Sequence, residues 1–458
     1  MRFLRPIALT LLTAAAGMAA DAPNLTEQYR ATADRLISAA LADSDGYDRL
    51  AYLCYRIGNR LSGSPSLDQA IAWSAAQMKK DGLENVVTPP VKVPHWVRGA
   101  ESASIVEPVK RKLTILGLGG SIATPKQGIT AEVVPVANFD ELENKGRAGV
   151  EGKIVLFNAP YVSYGQTVVY RHGGASRAAK LGAVAVLVRS ITPLALQLPH
   201  TGAMDYAQGV PQIPAAAVTI EDATLMQRLT DTGTKVRVHL EMEAHTESDS
   251  DSANVIGEIR GSEEPDKVVV IGGHIDSWDV GAGAQDDGSG IITSLEAAHL
   301  IKTLGLKPRR TIRVVFWVNE ENGGAGGRAY REWIEGHLKD HVAAIEMDGG
   351  AEKPVGFGIS AGGQTQAAVA RLREVGALLD RIGAGSVTGG GGGADIAPIM
   401  MGGVPGLAMR TVGTHYFDWH HTAADTVDKI DPDDLRRNVA AMAVMTYVLA
   451  DMPDAIGK

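Results

Sequence analysis

The strongest constraint on this fold is a repeated alternation of strand, loop and helix that begins near residue 246. Short, almost continuous apolar runs are typical of strands buried on both faces. We predict four such strands, at residues 268–271, 312–318, 342–345 and 404–409. Amphipathic helices are predicted at 291–304 and 329–336, and a last helix starts at Asp431-Pro432, with Asp431 as its N-cap. This alternation predicts an α/β domain with a mostly parallel sheet flanked by helices.

The chain of 458 residues is too long for one ordinary domain. Residues 1–19 are typical of a secretory signal peptide, because a short basic region precedes an apolar run and small residues. Residues 20–114, helical over 25–83, are predicted to form the N-terminal part of the main domain, and residues 246–458 its C-terminal part. Residues 115–245 have shorter strands and helices and are predicted to form an inserted β/α domain.

Composition excludes several classes of protein. The net charge of −9 argues against a nucleic-acid binder, which would usually present a basic face. No apolar stretch after the signal region is long enough to cross a bilayer, so we expect no membrane anchor and a periplasmic or secreted protein. Cys54 is the only cysteine, so no intrachain disulfide can form, and its apolar neighbours at helical spacing predict a buried thiol.

Histidine and carboxylate residues follow the predicted strands, where parallel sheets bind ligands. They are His274 and Asp276, Asp286-Asp287, Glu320-Glu321, Asp348 and His420-His421. Paired acids repel each other unless a cation neutralises them. These side chains could hold two zinc-sized ions and leave one carboxylate as a base. We expect the Asp276 carboxylate to accept a hydrogen bond from the second ring nitrogen of His274 and so fix its tautomer.

Each of these residues also has a purely structural interpretation. Asp287 or Ser289 could cap the helix that follows, Asp348 could be a turn residue, and a double histidine alone could belong to a solvated loop. The glycine run 389–393 lacks the Lys-Ser/Thr ending of a phosphate-binding loop. We interpret it as a flexible active-site loop that leads to Asp395.

Four phrases taken together resemble the co-catalytic zinc exopeptidases, the family that includes bacterial leucyl aminopeptidases and glutamate carboxypeptidase II. The phrases are the segment 274–281, Asp286-Asp287-Gly288, Glu320-Glu321, and the segment from Tyr416-Phe417 through His420-His421 to Asp425-Thr426. The block 115–245 resembles the protease-associated domain found inserted in several exopeptidases. The likeness spans nearly the whole chain after the signal region.

The resemblance implies a site with two Zn²⁺ ions. One ion would be held by His274, Asp286 and Asp348, and the other by Asp286, Glu321 and His421. Glu320 matches the family's general base, Asp276 is expected to be the second catalytic residue, and family members often carry a cis peptide after the bridging Asp. Asp395, Tyr416 and His420 are expected substrate contacts.

The expected function is hydrolysis of short peptides from one end, as a dipeptidase, aminopeptidase or carboxypeptidase. Relatives with the inserted domain often dimerise, so a homodimer is also expected. Two alternatives stay open: a single-zinc enzyme like glutaminyl cyclase, which should lack part of the five-ligand set, and a non-catalytic receptor on the same scaffold, which should lack most of it.

Overall fold

A computed structural model describes residues 24–456. Its α-helices are α1 (Leu25–Ala42), α2 (Asp45–Tyr52), α3 (Pro65–Lys80), α4 (Phe139–Val150), α5 (Tyr164–Thr167), α6 (Val169–Lys180), α7 (Ile220–Asp231), α8 (Ser289–Thr303), α9 (Ala325–Trp333), α10 (Thr365–Leu379), α11 (Ala397–Met400), α12 (Tyr416–Trp419) and α13 (Pro432–Asp451).

The strands form two large sheets and one ribbon. They are β1 (Glu84–Val87), β2 (Pro90–Val97), β3 (Glu101–Glu107), β4 (Arg111–Leu113), β5 (Ile115–Gly117), β6 (Ile129–Val136), β7 (Ile154–Phe157), β8 (Ala185–Arg189), β9 (Ala215–Val218), β10 (Arg237–Met242), β11 (His245–Ala253), β12 (Val255–Ile259), β13 (Glu264–His274), β14 (Arg310–Trp317), β15 (His341–Glu346), β16 (Pro354–Ser360), β17 (Ser386–Gly389) and β18 (Gly406–Thr411).

The main sheet has the strand order β1-β12-β14-β13-β15-β18-β16-β17. Its four central strands, β14, β13, β15 and β18, run parallel, and antiparallel pairing occurs only toward the two edges. The four strands predicted from apolar runs are these central ones. The expectation of an α/β fold with a mostly parallel sheet is therefore confirmed, with mixed edges.

Both faces of the main sheet are covered, because alternate residues along a strand point to opposite sides. In β14, Ile312, Val314 and Phe316 join the core on one face, which also contains α1, α8 and α13. Val315 and Trp317 join the core on the other face, which contains α9. This two-sided burial explains why the strands appear in the sequence as continuous apolar runs.

Two helix starts show how well local signals worked. Asp431 caps α13 as predicted, because its side chain accepts from the amides of Asp433 and Asp434. Helix α9 begins at Ala325 rather than at residue 329 and ends at Trp333. The glycines around its start indicate a loop, but the Asn319 side chain accepts from the Ala325 amide and satisfies the first backbone N–H of the helix.

The second sheet has the order β4-β3-β10-β6-β7-β8-β9-β5, and its strands β6 to β9 are parallel. Strands β2 and β11, which lead into and out of this region, pair as an antiparallel ribbon. Strands β3 and β4 belong to the sheet although they precede residue 115, the predicted start of the insert. Strand β3 pairs with the adjacent β4 and with the distant β10, and the distant pairing, which joins both strands to the sheet, leaves no local pattern to read.

The predicted signal peptide lies outside the described residues. Among residues 24–456, no helix combines the length and apolar character needed to cross a membrane. Cys54 is buried, as expected from its helical neighbours.

Candidate metal centre

Three adjacent parallel strands of the main sheet each lead into a predicted ligand. Strand β13 ends at His274, β14 is followed by Glu320-Glu321, and β15 is followed by Asp348. His421 lies beyond α12, on the connection to α13. The carboxyl ends of parallel strands meet at one edge of a sheet, so residues far apart in the chain come together there.

Asp286 lies between the two histidines. Its Oδ1 is 3.1 Å from His274 Nε2, and its Oδ2 is 3.2 Å from His421 Nε2. The peptide bond between Asp286 and Asp287 is cis, as the resemblance implied. One carboxylate is therefore shared by two imidazoles, each of which presents its Nε2 atom.

The remaining predicted ligands complete the two sides. His274 Nε2 lies 3.5 Å from Asp348 Oδ1, and His421 Nε2 lies 3.0 Å from Glu321 Oε2. Three overlapping groups of donor atoms are close enough to hold a metal: His274–Asp286–Glu321, Asp286–His420–His421 and His274–Asp287–Asp348. Hereafter, the His274 side means His274 with Asp348, and the His421 side means His421 with Glu321; Asp286 belongs to both.

Asp287 is engaged in holding the backbone. Its Oδ2 accepts from the His274 amide at 3.2 Å and its Oδ1 from the Gly290 amide at 3.0 Å, near the start of α8. This is the capping role that the sequence left open for it. With both oxygens committed to amides, Asp287 is a poorer metal ligand than Asp286.

The contact expected between His274 and the Asp276 carboxylate differs in the structure. His274 Nδ1 lies 3.0 Å from the backbone oxygen of Asp276, and the nearest carboxylate oxygen is 3.9 Å away. The carboxylate instead accepts from the amides of Glu320 and Glu321 at 3.1 and 3.3 Å. Asp276 therefore fixes the tautomer of His274 through its carbonyl and holds the Glu320-Glu321 segment through its side chain.

His421 is oriented by a residue of the second-sheet region, the name used here for residues 101–242, from β3 to β10. Its Nδ1 lies 3.2 Å from the carbonyl oxygen of Thr201, which can only accept, so Nδ1 carries the proton. In that tautomer Nε2 carries no proton, so its lone pair can bind a metal on the side where Asp286 and Glu321 lie. His421 also has a φ of 60°, an uncommon backbone conformation for a histidine.

The loop that carries Asp286 is held by Asp425. Its Oδ1 accepts from the amides of Ala284 and Gln285 at 3.1 and 2.7 Å, and its Oδ2 from the Asp286 amide at 3.1 Å. Burial raises the pKa of Asp425 to about 7. Asp425 lies in a phrase that supported the family resemblance, but nothing in the sequence indicated this bracing role.

The pKa values of the site residues show that the clustered carboxylates favour positive charge there. Burial opposes protonation of His274 and His421, but nearby carboxylates outweigh it, so the pKa of each imidazole lies well above its usual value. Burial raises the pKa of Glu320 well above its usual range, and the charge of Asp348 raises it further. A divalent cation bound here would replace the positive charge of the imidazole protons. It would also lower the pKa of Glu320.

A cavity of about 670 Å³ opens onto these groups. Glu320, Glu321, Asp286, Asp348 and His421 line it, together with Tyr416 and His420, two of the three expected substrate contacts. The third, Asp395, is not among the lining residues. It is 1% exposed, and its two carboxylate oxygens have no hydrogen-bond partner among the described residues. Burial raises the pKa of Asp395 well above its usual range, and the charge of Glu346 raises it further.

The far wall of the cavity comes from the second-sheet region, where no site residue was predicted. Tyr164 stacks on Phe417 at 5.0 Å between ring centroids, and its ring edge meets His420, also at 5.0 Å. Arg171, His172 and Met204 line the same wall. These residues lack the paired acids and histidines that marked the main sheet, so the sequence contained no comparable signal for them.

The donor set fits zinc. Two imidazoles and several carboxylates are ligands that Zn²⁺ takes in proteins. Asp286 Oδ2 is buried and makes no hydrogen bond within the described residues, although it faces two imidazoles. A buried carboxylate oxygen without such a bond is costly unless a cation satisfies it.

Residues 254–446 match the family model of peptidase family M28. Carboxypeptidase Q of Xenopus laevis is 44% identical over 433 residues, covering 94% of this chain and 92% of that protein. Human carboxypeptidase Q is 44% identical over 417 residues, covering 91% and 88%. A crystal structure of a peptidase M28 precursor from Shewanella amazonensis superposes with a TM-score of 0.91 at 36% identity, covering 94% of this chain and 99% of that one. With this identity over nearly its full length, and with the metal-type cluster at its strand ends, the chain belongs to peptidase family M28.

Proposed function

We propose that this protein is a di-zinc exopeptidase that hydrolyses short peptides. The observation that carries the proposal is the arrangement around Asp286, which is shared by His274 and His421, while Glu320 lines the same cavity but belongs to none of the three candidate metal groups. Two ligand sets and one carboxylate left over are the parts that metal-assisted hydrolysis needs.

The residues divide the chemistry between them. His274, Asp286 and Asp348 would hold one zinc, and Asp286, Glu321 and His421 the other. When bound, the zinc ions acidify water and polarise the carbonyl of the scissile peptide bond. Glu320 accepts the proton of the attacking water and delivers it to the leaving amine. The Asp276 carboxylate keeps Glu320 in place by accepting its backbone N–H.

The relatives named carboxypeptidase Q support hydrolysis over the two alternatives. This chain has a metal-binding type of residue at every predicted ligand position. A single-zinc cyclase or a non-catalytic receptor would not need all of them. Tyr164, Arg171 and Met204 form a wall of the cavity opposite the metal-type side chains. We therefore propose a preference for dipeptides and other short peptides over folded proteins. A substrate panel with blocked amino or carboxyl ends would show which terminus must be free.

The decisive experiment is Glu320→Gln. We expect this variant to keep both metals and its fold but to lose about 10²–10⁴ in kcat on dipeptides, because removing a general acid–base group costs that much. Glu332→Gln, the same change at an exposed residue on α9, is the matched control and should behave like the parent. Dipeptide hydrolysis by Glu320→Gln at the parent rate would refute the role of Glu320.

Two finer expectations complete the proposal. The pattern of residues 1–19 supports export to the periplasm or the medium, which amino-terminal sequencing of the mature protein from each fraction would test. The family resemblance supports a homodimer, which analytical ultracentrifugation would test. A monomer at micromolar concentration would exclude a stable dimer.

A further inference from the structure

The two imidazoles of the metal centre are oriented from different parts of the molecule. His274 Nδ1 donates to the carbonyl of Asp276, two residues further along the same loop. His421 Nδ1 donates to the carbonyl of Thr201, which is 220 residues away in the chain. The His274 imidazole is therefore oriented within its own loop. The His421 imidazole is oriented only when the second-sheet region is docked against the main domain.

Thr201 is fixed where it meets His421. The Thr201 amide donates to the His421 carbonyl at 3.1 Å, so the two residues exchange a pair of hydrogen bonds. The Thr201 hydroxyl donates to the Gly117 carbonyl at 2.7 Å, and Arg98 Nη2 lies 3.5 Å from that hydroxyl. Thr201 itself has no measurable exposure. Its carbonyl thus has little freedom to move relative to the imidazole.

Arg171 braces the same carbonyl from the other side. It is 3% exposed, and its Nη1 donates to the Thr201 oxygen at 3.0 Å. Its Nε donates to the Ala203 carbonyl at 3.2 Å and its Nη2 to the Tyr164 hydroxyl at 2.7 Å. Gly202 lies so close that a Cβ there would be 2.3 Å from the guanidinium carbon. A planar guanidinium with all three nitrogens engaged is a rigid support.

We propose that Arg171 is a positioning residue for the metal ligand His421, acting through the carbonyl of Thr201. Zinc affinity on the His421 side then depends on Arg171, and zinc affinity on the His274 side does not. Outer partners of metal-bound histidines typically contribute 10- to 100-fold in metal affinity. The inference rests on the proposed function only in requiring that the two sides bind zinc.

The test measures zinc affinity of each side separately, by chelator competition on the full-length protein. The His274→Ala variant keeps only the His421 side complete for zinc binding. The Glu321→Ala variant keeps only the His274 side complete. In the His274→Ala background, Arg171→Met should weaken zinc binding by about 10- to 100-fold. In the Glu321→Ala background the same substitution should leave zinc affinity unchanged. Arg171→Lys, which keeps the charge and one donor, should recover part of the loss.

Two further variants keep the result interpretable. Arg189→Met removes a half-buried arginine of the same region, whose Nη1 donates to Asn158 Oδ1 at 3.1 Å, and should affect neither side. Thr201→Val removes the hydroxyl bond to the Gly117 carbonyl and the 3.5 Å contact with Arg98 Nη2, and should weaken zinc binding on the His421 side by a smaller factor. If Arg171→Met does not fold, Arg171→Lys tests the role of the guanidinium and Thr201→Val tests the role of Thr201.

Unchanged zinc affinity on the His421 side in both Arg171→Met and Thr201→Val, or equal losses on the two sides, would overturn the inference. The proposed function is measured separately, by dipeptide hydrolysis of the parent. A parent that binds two zinc ions but hydrolyses no peptide would refute the function and leave this inference standing. A parent that binds no zinc would refute both.

Discussion

The two large sheets share a plan but contribute different chemistry to the same cavity. Each has eight strands with four parallel strands in a row, and each directs loops from the carboxyl ends of those strands toward the cavity. The main sheet supplies His274, Glu321 and Asp348. The second sheet supplies Tyr164 and Arg171 from the segment after β7, and Thr201 from the loop after β8. Similar topology therefore does not imply a similar role.

The difference lies in what each set of loops can offer a metal. The main sheet presents imidazoles and carboxylates, which bind cations directly. The second sheet presents aromatic rings, a guanidinium and a backbone carbonyl, which shape the cavity and orient a ligand. We therefore expect the main sheet to determine metal affinity and the second sheet to determine access to the cavity and alignment of a ligand.

The largest effect is expected from Asp286→Ala, since Asp286 is the one ligand common to both sides. We expect both zinc ions to be lost and activity to fall by more than the roughly 10- to 100-fold that an outer partner contributes. His274→Ala should reduce occupancy mainly on one side. Elemental analysis of the purified variants distinguishes the two results. Equal single-ion losses in both variants would rule out a bridging role for Asp286.

The main domain should also carry a pH dependence of stability. Glu296, on α8, has no exposure; its Oε1 lies 3.0 Å from Arg49, which also pairs with Asp81, and His299 lies 3.3 Å from Asp81. Burial raises the pKa of Glu296 to about 7, although Arg49 opposes the shift. The native state then holds this proton more tightly than the unfolded state, so the contribution is present below the usual glutamate pKa and is lost as the pH rises to 7.

The measurement is the free energy of unfolding of the parent and of Glu296→Gln as a function of pH. The parent should lose on the order of 3 kcal/mol relative to the variant as the pH rises from the usual glutamate pKa to 7. Zinc loss at low pH affects both proteins alike and cancels in the difference. Parallel stability curves would show that Glu296 does not titrate in this range.

The main sheet and its candidate ligands could be predicted from the sequence, whereas the contribution of the second sheet to the site could not. Central strands and candidate ligands of the main sheet were readable because each depends on a short run of residues: a continuous apolar segment followed by His274, or by Glu320-Glu321. The cap at Asp431 was readable for the same reason. Ligand roles for individual residues came from the family resemblance and remain predictions for the experiments above.

The rest depends on contacts between distant residues. Thr201 acts through its carbonyl, which every residue possesses, so its side chain could not reveal the role. Strand β3 belongs to the second sheet because it pairs with the remote β10. Asp276 was expected to contact His274 through its carboxylate, but that carboxylate meets the amides of Glu320 and Glu321 across the sheet edge. Local spacing cannot show which of two polar groups on one residue faces a neighbour.

The smallest effect tests how the two regions are joined. Gly119 lies against Trp278, and a Cβ at this glycine would be 2.0 Å from the indole ring. Trp278 is 2% exposed and packs in the core of the second sheet, although it belongs to the loop that carries His274 and Asp276. The backbone of Gly119 is bonded to Gly202 and Met204, next to Thr201. Gly119→Ala should therefore push the two regions apart.

We expect Gly119→Ala to lower the free energy of unfolding by about 1–3 kcal/mol, the usual cost of overpacking a filled core. It should also weaken zinc binding more on the His421 side, which depends on Thr201, than on the His274 side, although Trp278 belongs to the loop that carries His274. Gly173→Ala, in α6 of the same region, is the control: a Cβ there meets nothing within 4 Å, and alanine should be neutral or stabilise the helix by up to about 1 kcal/mol. Denaturant unfolding and zinc competition on both variants provide the measurement. If Gly119→Ala were as stable as Gly173→Ala and kept parental zinc affinity on both sides, docking of the second sheet would not control the metal centre.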